Sequence, residues 1–180
     1  MVTADSIVRD YFKPLWQLPC WHVTAEYGTW LSFRFGEPHL SVREGNPEAK
    51  ARSLQRRAVH VEGEFLLWVE MGAWTILEAG RRVYHSGQTR PSLRRAAARL
   101  DSQKIERVDV QAKPLATIFS FDEGSRLRVY PAKDCDPDDP LWHLYGRSRC
   151  LTLLANGSLQ YGSEKREPRH ILVSSVYCAA

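Results

Sequence analysis

Histidines, cysteines, a run of acids and a crowd of arginines are the residues of this chain whose chemistry has to be weighed first. His22, His39, His60, His85, His143 and His170 are dispersed, with no H-x-H or H-x-x-x-H pair to set two imidazoles on one face of a strand or helix. Cys20, Cys135, Cys150 and Cys178 stand singly, without a CxxC pair. Cys20 and His22 alternate, but alternate residues of any strand share a face, so the pair is weak evidence for zinc. No metal and no cofactor are expected.

Asp134, Asp136, Asp138 and Asp139 crowd one loop, where alternating acids can ligate calcium. A calcium loop needs a sharp-turn glycine and a terminal bidentate glutamate, and Pro137 and Pro140 replace any such arrangement, so a solvated turn or a docking loop for a basic partner is expected. Arg81, Arg82, Arg90, Arg94, Arg95 and Arg99 are the densest cationic run, and Arg94, Arg95 and Arg99 form the candidate anion patch. No aromatic platform interleaves with them, and a nucleic-acid partner is not expected.

No G-x-S-x-G nucleophile turn, Walker sequence or G-x-G-x-x-G loop is present, so the chain reads as non-enzymatic. The alternative is a small enzyme or carrier with a pocket between its sheets, where His22, Glu70, His143 and Tyr145 would be the polar groups. For partner binding, Trp30 and Arg34 are the candidates. If Leu31, Phe33 and Phe35 face the core, Trp30, Ser32 and Arg34 face outward together, and tryptophan with arginine is enriched at protein interfaces.

The elements that must position these residues are mostly strands. Thr3 to Phe12 has a helical cap and an apolar face of Ile7, Val8, Tyr11 and Phe12, stopped by Pro14. From Leu15 the period becomes two, with half-buried strands at Leu31 to Phe35 and Leu40 to Val42 joined by a tight turn at Gly36 and Pro38. Residues 45–57 are polar and read as a surface loop. Phe65 to Glu70 is apolar on both faces, followed by a glycine turn or bulge at Gly72. A bridging helix is expected at about 91–100, with Leu93, Ala96, Ala97 and Leu100 on one face. Strands then resume, and Asn156-Gly157 marks a hairpin whose two turn residues both accept positive φ.

A weak internal repeat sets Thr29 to Val42 against Thr117 to Val129, with Phe33 against Phe121, and Trp68-x-x-x-Gly72 against Trp142-x-x-x-Gly146. The expected fold is mainly β (α+β): antiparallel sheets packed as a sandwich or half-open barrel, with pseudo-halves at about 15–86 and 104–163 of one domain. With 43% hydrophobic and 26% charged residues, the 180-residue chain can form such a core without staples. The net charge of +4 is modestly basic.

The first twenty residues carry Asp5 and Asp10 and no leader-like apolar run, and no stretch is long and apolar enough to span a bilayer. Free thiols, a cytoplasmic location and no membrane partner are therefore expected, with a homodimer left open. The acidic loop, the LWHLY strand and CLTLLANGSLQYG together resemble small uncharacterised bacterial β-rich proteins, some of them immunity proteins. That resemblance implies a class of function, the binding of another protein, and no transferable chemistry.

Overall fold

The computed structural model describes residues 3–26, 28–146 and 148–163. Thr3 caps the first helix, α1 (Ala4–Phe12), its hydroxyl accepting from the Ser6 N–H at 3.2 Å, and the chain leaves through a 3-10 turn containing Pro14. Val8 and Phe12 are its buried face. Seven strands follow: β1 (Trp21–Ala25), β2 (Leu31–Phe35), β3 (His39–Arg43), β4 (Ala58–Glu62), β5 (Phe65–Val69), β6 (Gly72–Glu78) and β7 (Arg81–His85). Helix α2 (Arg90–Leu100) has Pro91 in its first turn and buries Leu93, Ala96, Ala97 and Leu100, the apolar stripe its spacing demands. The second half runs through β8 (Ile105–Ala112), β9 (Leu115–Phe121), β10 (Ser125–Pro131), β11 (Pro140–Gly146), β12 (Arg149–Leu154) and β13 (Leu159–Ser163).

These strands form a six-stranded antiparallel sheet, ordered β1-β2-β5-β11-β12-β13, and a five-stranded one, ordered β7-β6-β10-β9-β8. Their inner faces enclose one core of Phe12, Phe33, Trp74, Phe119, Trp142 and surrounding aliphatics. Read from β8, the second order is β8-β9-β10-β6-β7, which is β1-β2-β5-β11-β12 with the halves of the chain exchanged; β13 has no counterpart. Each helix packs against the first strand of the opposite half, α1 on β8 and α2 on β1. From there α2 also touches β7, while Tyr11 of α1 meets Tyr161 of β13 at 6.5 Å, so each helix bridges an edge of one sheet to an edge of the other. The sandwich is open rather than a closed barrel.

Two tryptophans mark equivalent places in this plan. Trp74 of β6 donates its indole N–H to the Thr29 carbonyl, and Trp142 of β11 donates to the Thr117 hydroxyl at 2.9 Å, while Phe33 and Phe121 stack at 6.4 Å between the sheets. Trp74, then, is the counterpart of Trp142. The match of Trp68 to Trp142 suggested by their trailing glycines is overturned, because Trp68 points away from the core and Trp142 is wholly buried within it.

Other expectations also need correction. Strands β2 and β3 are not a hairpin: β3 pairs only with β4, as a separate two-stranded arm, and Leu40 and Val42 are exposed rather than half-buried. Strict alternation reads the same whether the apolar face meets a core or water. Gly72 opens β6 rather than bending it; a Cβ there would lie 2.7 Å from the Val129 side chain, so close packing requires the glycine. At the β12–β13 turn only Gly157 has positive φ, at 84°, and Asn156 instead accepts the Ser158 N–H through its side chain at 2.9 Å.

Candidate functional site

Antiparallel register carries side chains straight across the outside of the six-stranded sheet. One row reads Thr24, Ser32, Trp68, His143, Thr152 and Gln160; the next reads Trp21, Arg34, Leu66, Tyr145, Cys150 and Gly162. The candidates Trp30 and Arg34 therefore share a surface with Glu70, His143 and Tyr145, one residue in two along their strands. Trp30 meets Trp68 edge to face at 5.5 Å, Trp68 lies 6.2 Å from the His143 ring, and His143 stacks on Tyr145 at 5.5 Å.

Hydrogen bonds tie the rows together. His143 Nε2 meets Glu70 Oε2 at 2.8 Å and its Nδ1 meets the Thr152 hydroxyl at 2.8 Å. Toward β1, Ser32 donates to Glu26 at 3.1 Å, and Thr24 bonds both Ser32 and Glu26. Arg34 reaches the His22 carbonyl at 3.5 Å; burial lowers its guanidinium from the ordinary range, against the opposing pull of Glu26 and Glu62. The Trp68 indole nitrogen is buried with no acceptor among the described residues.

A carboxylate, an imidazole and a hydroxyl in line can serve nucleophilic catalysis when a base nitrogen faces the nucleophile and backbone N–H groups are free to hold an oxyanion. This ladder meets only the first condition. His143 Nδ1 faces the Thr152 hydroxyl, but Thr152 is 8% exposed and the mid-strand N–H groups around it belong to the sheet. The arrangement is a fixed, mixed aromatic and polar surface.

Phe33, Trp74, Phe119 and Trp142 fill the middle of the space between the sheets. Glu70, His143 and Tyr145 converge, but on the outer face, since they alternate with the buried Val69, Trp142 and Leu144. His22 does not join them. It sits exposed with φ of 50° in the irregular stretch of β1 where register shifts between Trp21 and Thr24. Nor is it a partner for Cys20, whose buried thiol donates to the Leu100 carbonyl at 3.0 Å and is pushed up to about 12, chiefly by burial and secondly by Asp101. Among the described residues no group of three His, Cys, Asp or Glu side chains could hold a metal ion. His170 and Cys178 lie outside the described residues.

The arginine run does not act as one patch. Arg94 and Arg95 are exposed on α2, but Arg99 pairs with Glu78 and Arg90 is bonded to the Glu26 carbonyl. A broader cationic row, which sequence order conceals, crosses the outside of the five-stranded sheet: Arg82, Leu77, Arg126, Ser120, Arg107. Neighbouring Arg128 lies over the Tyr130 ring at 5.0 Å.

The acidic loop docks on its own chain. The Asp139 carbonyl accepts the Ala155 N–H at 2.9 Å, the Pro137 carbonyl accepts the Asn156 N–H at 2.8 Å, and Asp138 accepts from the Asn156 side chain. Trp68 and Thr152 were missed as members of the surface. Trp68 shows only as one more apolar residue in Phe65 to Glu70, and nothing local marks Thr152 as opposite His143. No helix among the described residues is long and apolar enough to cross a membrane. Comparison with protein-family models, curated proteins and solved structures returns no match.

Proposed function

We propose that this chain is a non-catalytic binding protein that holds another protein against the outer face of its six-stranded sheet. The observation that carries this reading is the mid-sheet cluster of Trp30, Trp68, His143 and Tyr145 beside Arg34, while both helices lie on edge strands. Aromatic rings braced against one another present apolar area with little entropy left to lose on binding, and tryptophan, tyrosine and arginine dominate interface hot spots. Occupation and neutralisation of a toxin, the immunity-like form of binding, is the use we favour. On the same reading the halves are copies of one unit, and this face is where one sheet diverged from the other.

The test uses the wild-type chain and a Trp30→Ala, Arg34→Ala double variant as baits in native lysate, followed by calorimetry with the retained protein. The double variant should stay folded and bind that protein at least ~2 kcal/mol more weakly if the pair is a hot spot. A folded double variant with unchanged affinity sinks the proposal.

A further inference from the structure

The arm made by β3 and β4 carries a second surface, unrelated to the aromatic face. Leu40 stands opposite Val61 and Val42 opposite Val59, so the four aliphatics form one stripe on one side of the hairpin. They are 70%, 49%, 55% and 56% exposed, respectively; on the other side Ser41, Arg43, Ala58 and Glu62 are half-buried and the polar His39 and His60 are exposed. A two-stranded hairpin is marginal in water unless something covers its apolar face.

Charge along the arm selects the cover. The tip, residues 43–57, holds Arg43, Lys50, Arg52, Arg56 and Arg57 against Glu44 and Glu48; the base holds Glu37, Glu62 and Glu64 with no lysine or arginine in 36–39 or 62–64. An arm with a basic tip, an apolar middle and an acidic base is complementary to itself turned end for end. Two stripes stacked antiparallel about a two-fold axis bring Leu40 and Val61 of one copy onto Val42 and Val59 of the other, and set each tip on the opposing base. Parallel stacking would set tip on tip and is repelled.

We propose that the aliphatic stripe is the interface of a homodimer in which two arms stack antiparallel. Each of the four side chains presents on the order of 100 Å² to water, so two stripes remove roughly 800 Å², below the ~1,200 Å² at which stable interfaces begin. Contact of tip with base supplies the remainder, and the dimer is a weak, concentration-dependent one.

Sedimentation equilibrium on the full chain, from micromolar to millimolar protein, tests this. The mass should climb from 20.6 kDa toward twice that value. Val42→Lys with Val59→Lys should hold it at the monomer while circular dichroism and tryptophan fluorescence stay native, since the arm lies outside the core. Tip reversal (Arg52→Glu, Arg56→Glu) and base reversal (Glu37→Lys, Glu64→Lys) should each weaken association at least tenfold alone, and an equimolar mixture of the two should recover it. A monomer at every concentration, or a dimer indifferent to the lysine substitutions, overturns the interface. Loss of association by the lysine variant without recovery in the charge-swapped mixture overturns the antiparallel arrangement.

Discussion

Across the outside of the six-stranded sheet one row of side chains runs Thr24, Ser32, Trp68, His143, Thr152, Gln160; across the five-stranded sheet a row runs Arg82, Leu77, Arg126, Ser120, Arg107. The strand orders behind these rows correspond, and the inner faces meet the same demand, to fill one core. Outside, that demand is lifted. On one sheet the side chains bond and stack with each other, so each is held by its neighbours. On the other, Arg82 and Arg126 extend into solvent and take their stability from hydration. Shared topology thus leaves the outward residues to set what each face can do, and the first face is the more closely braced of the two.

The largest expected effect contrasts a tryptophan inside this plan with one outside it. Trp142→Ala empties a fully buried site and should cost about 3–5 kcal/mol in urea unfolding, whereas Trp68→Ala, on the outer face, should cost about half as much. Equal losses would mean that the outer face is as tightly packed as the core. His143→Ala should cost about 1–3 kcal/mol, because it leaves Glu70 and Thr152 without their shared partner. A neutral result, again by urea unfolding, would show that the ladder is incidental.

The seam between the halves offers a test through pH. Cys20 directly precedes β1, exchanges backbone hydrogen bonds with Ser102 and Gln103, and keeps its thiol neutral in the native state up to about 12 against 9.0 when unfolded. The native state thus holds the proton longer, so this contribution is intact below pH 9 and falls as pH rises, by about 1.4 kcal/mol per unit between the two values. Cys20→Ala should flatten that part of the alkaline decline; an unchanged slope would show that the thiolate is tolerated. The smallest effect belongs to the solvated sheet. Arg126→Ala should move stability by no more than ~0.5 kcal/mol, and a larger loss in thermal unfolding would blur the distinction between the two faces.

Both helices were legible in the sequence because local signals agree, a cap with the apolar period at Thr3, Val8 and Phe12, and a first-turn proline with it at Pro91, Leu93 and Leu100. The mainly β class was legible from alternation. The outward pairing of Trp30 with Arg34 followed from the same period of two. What alternation could not supply is which strands become neighbours: Glu70 and His143 are 73 residues apart, and their contact depends on β5 lying beside β11. Glu70, His143 and Tyr145 meet on the outer face of the sheet, and His22 stands apart from them. The arm was hidden for a related reason, since Leu40 and Val42 obey the rule for a core strand and sit in water.

The exchange of helices between the halves also bears on synthesis. Helix α1 leaves the ribosome before every strand of this fold, yet Asp5 bonds the Val110 N–H and Arg9 pairs with Asp109 on a strand made some hundred residues later. Until β8 has emerged, Val8 and Phe12 have no surface to dock on, so the nascent amino-terminal half must wait with its apolar helix face uncovered. Closing so long a loop also slows folding after release. The period of greatest exposure to aggregation therefore falls during translation of the second half, and a pause there would prolong it.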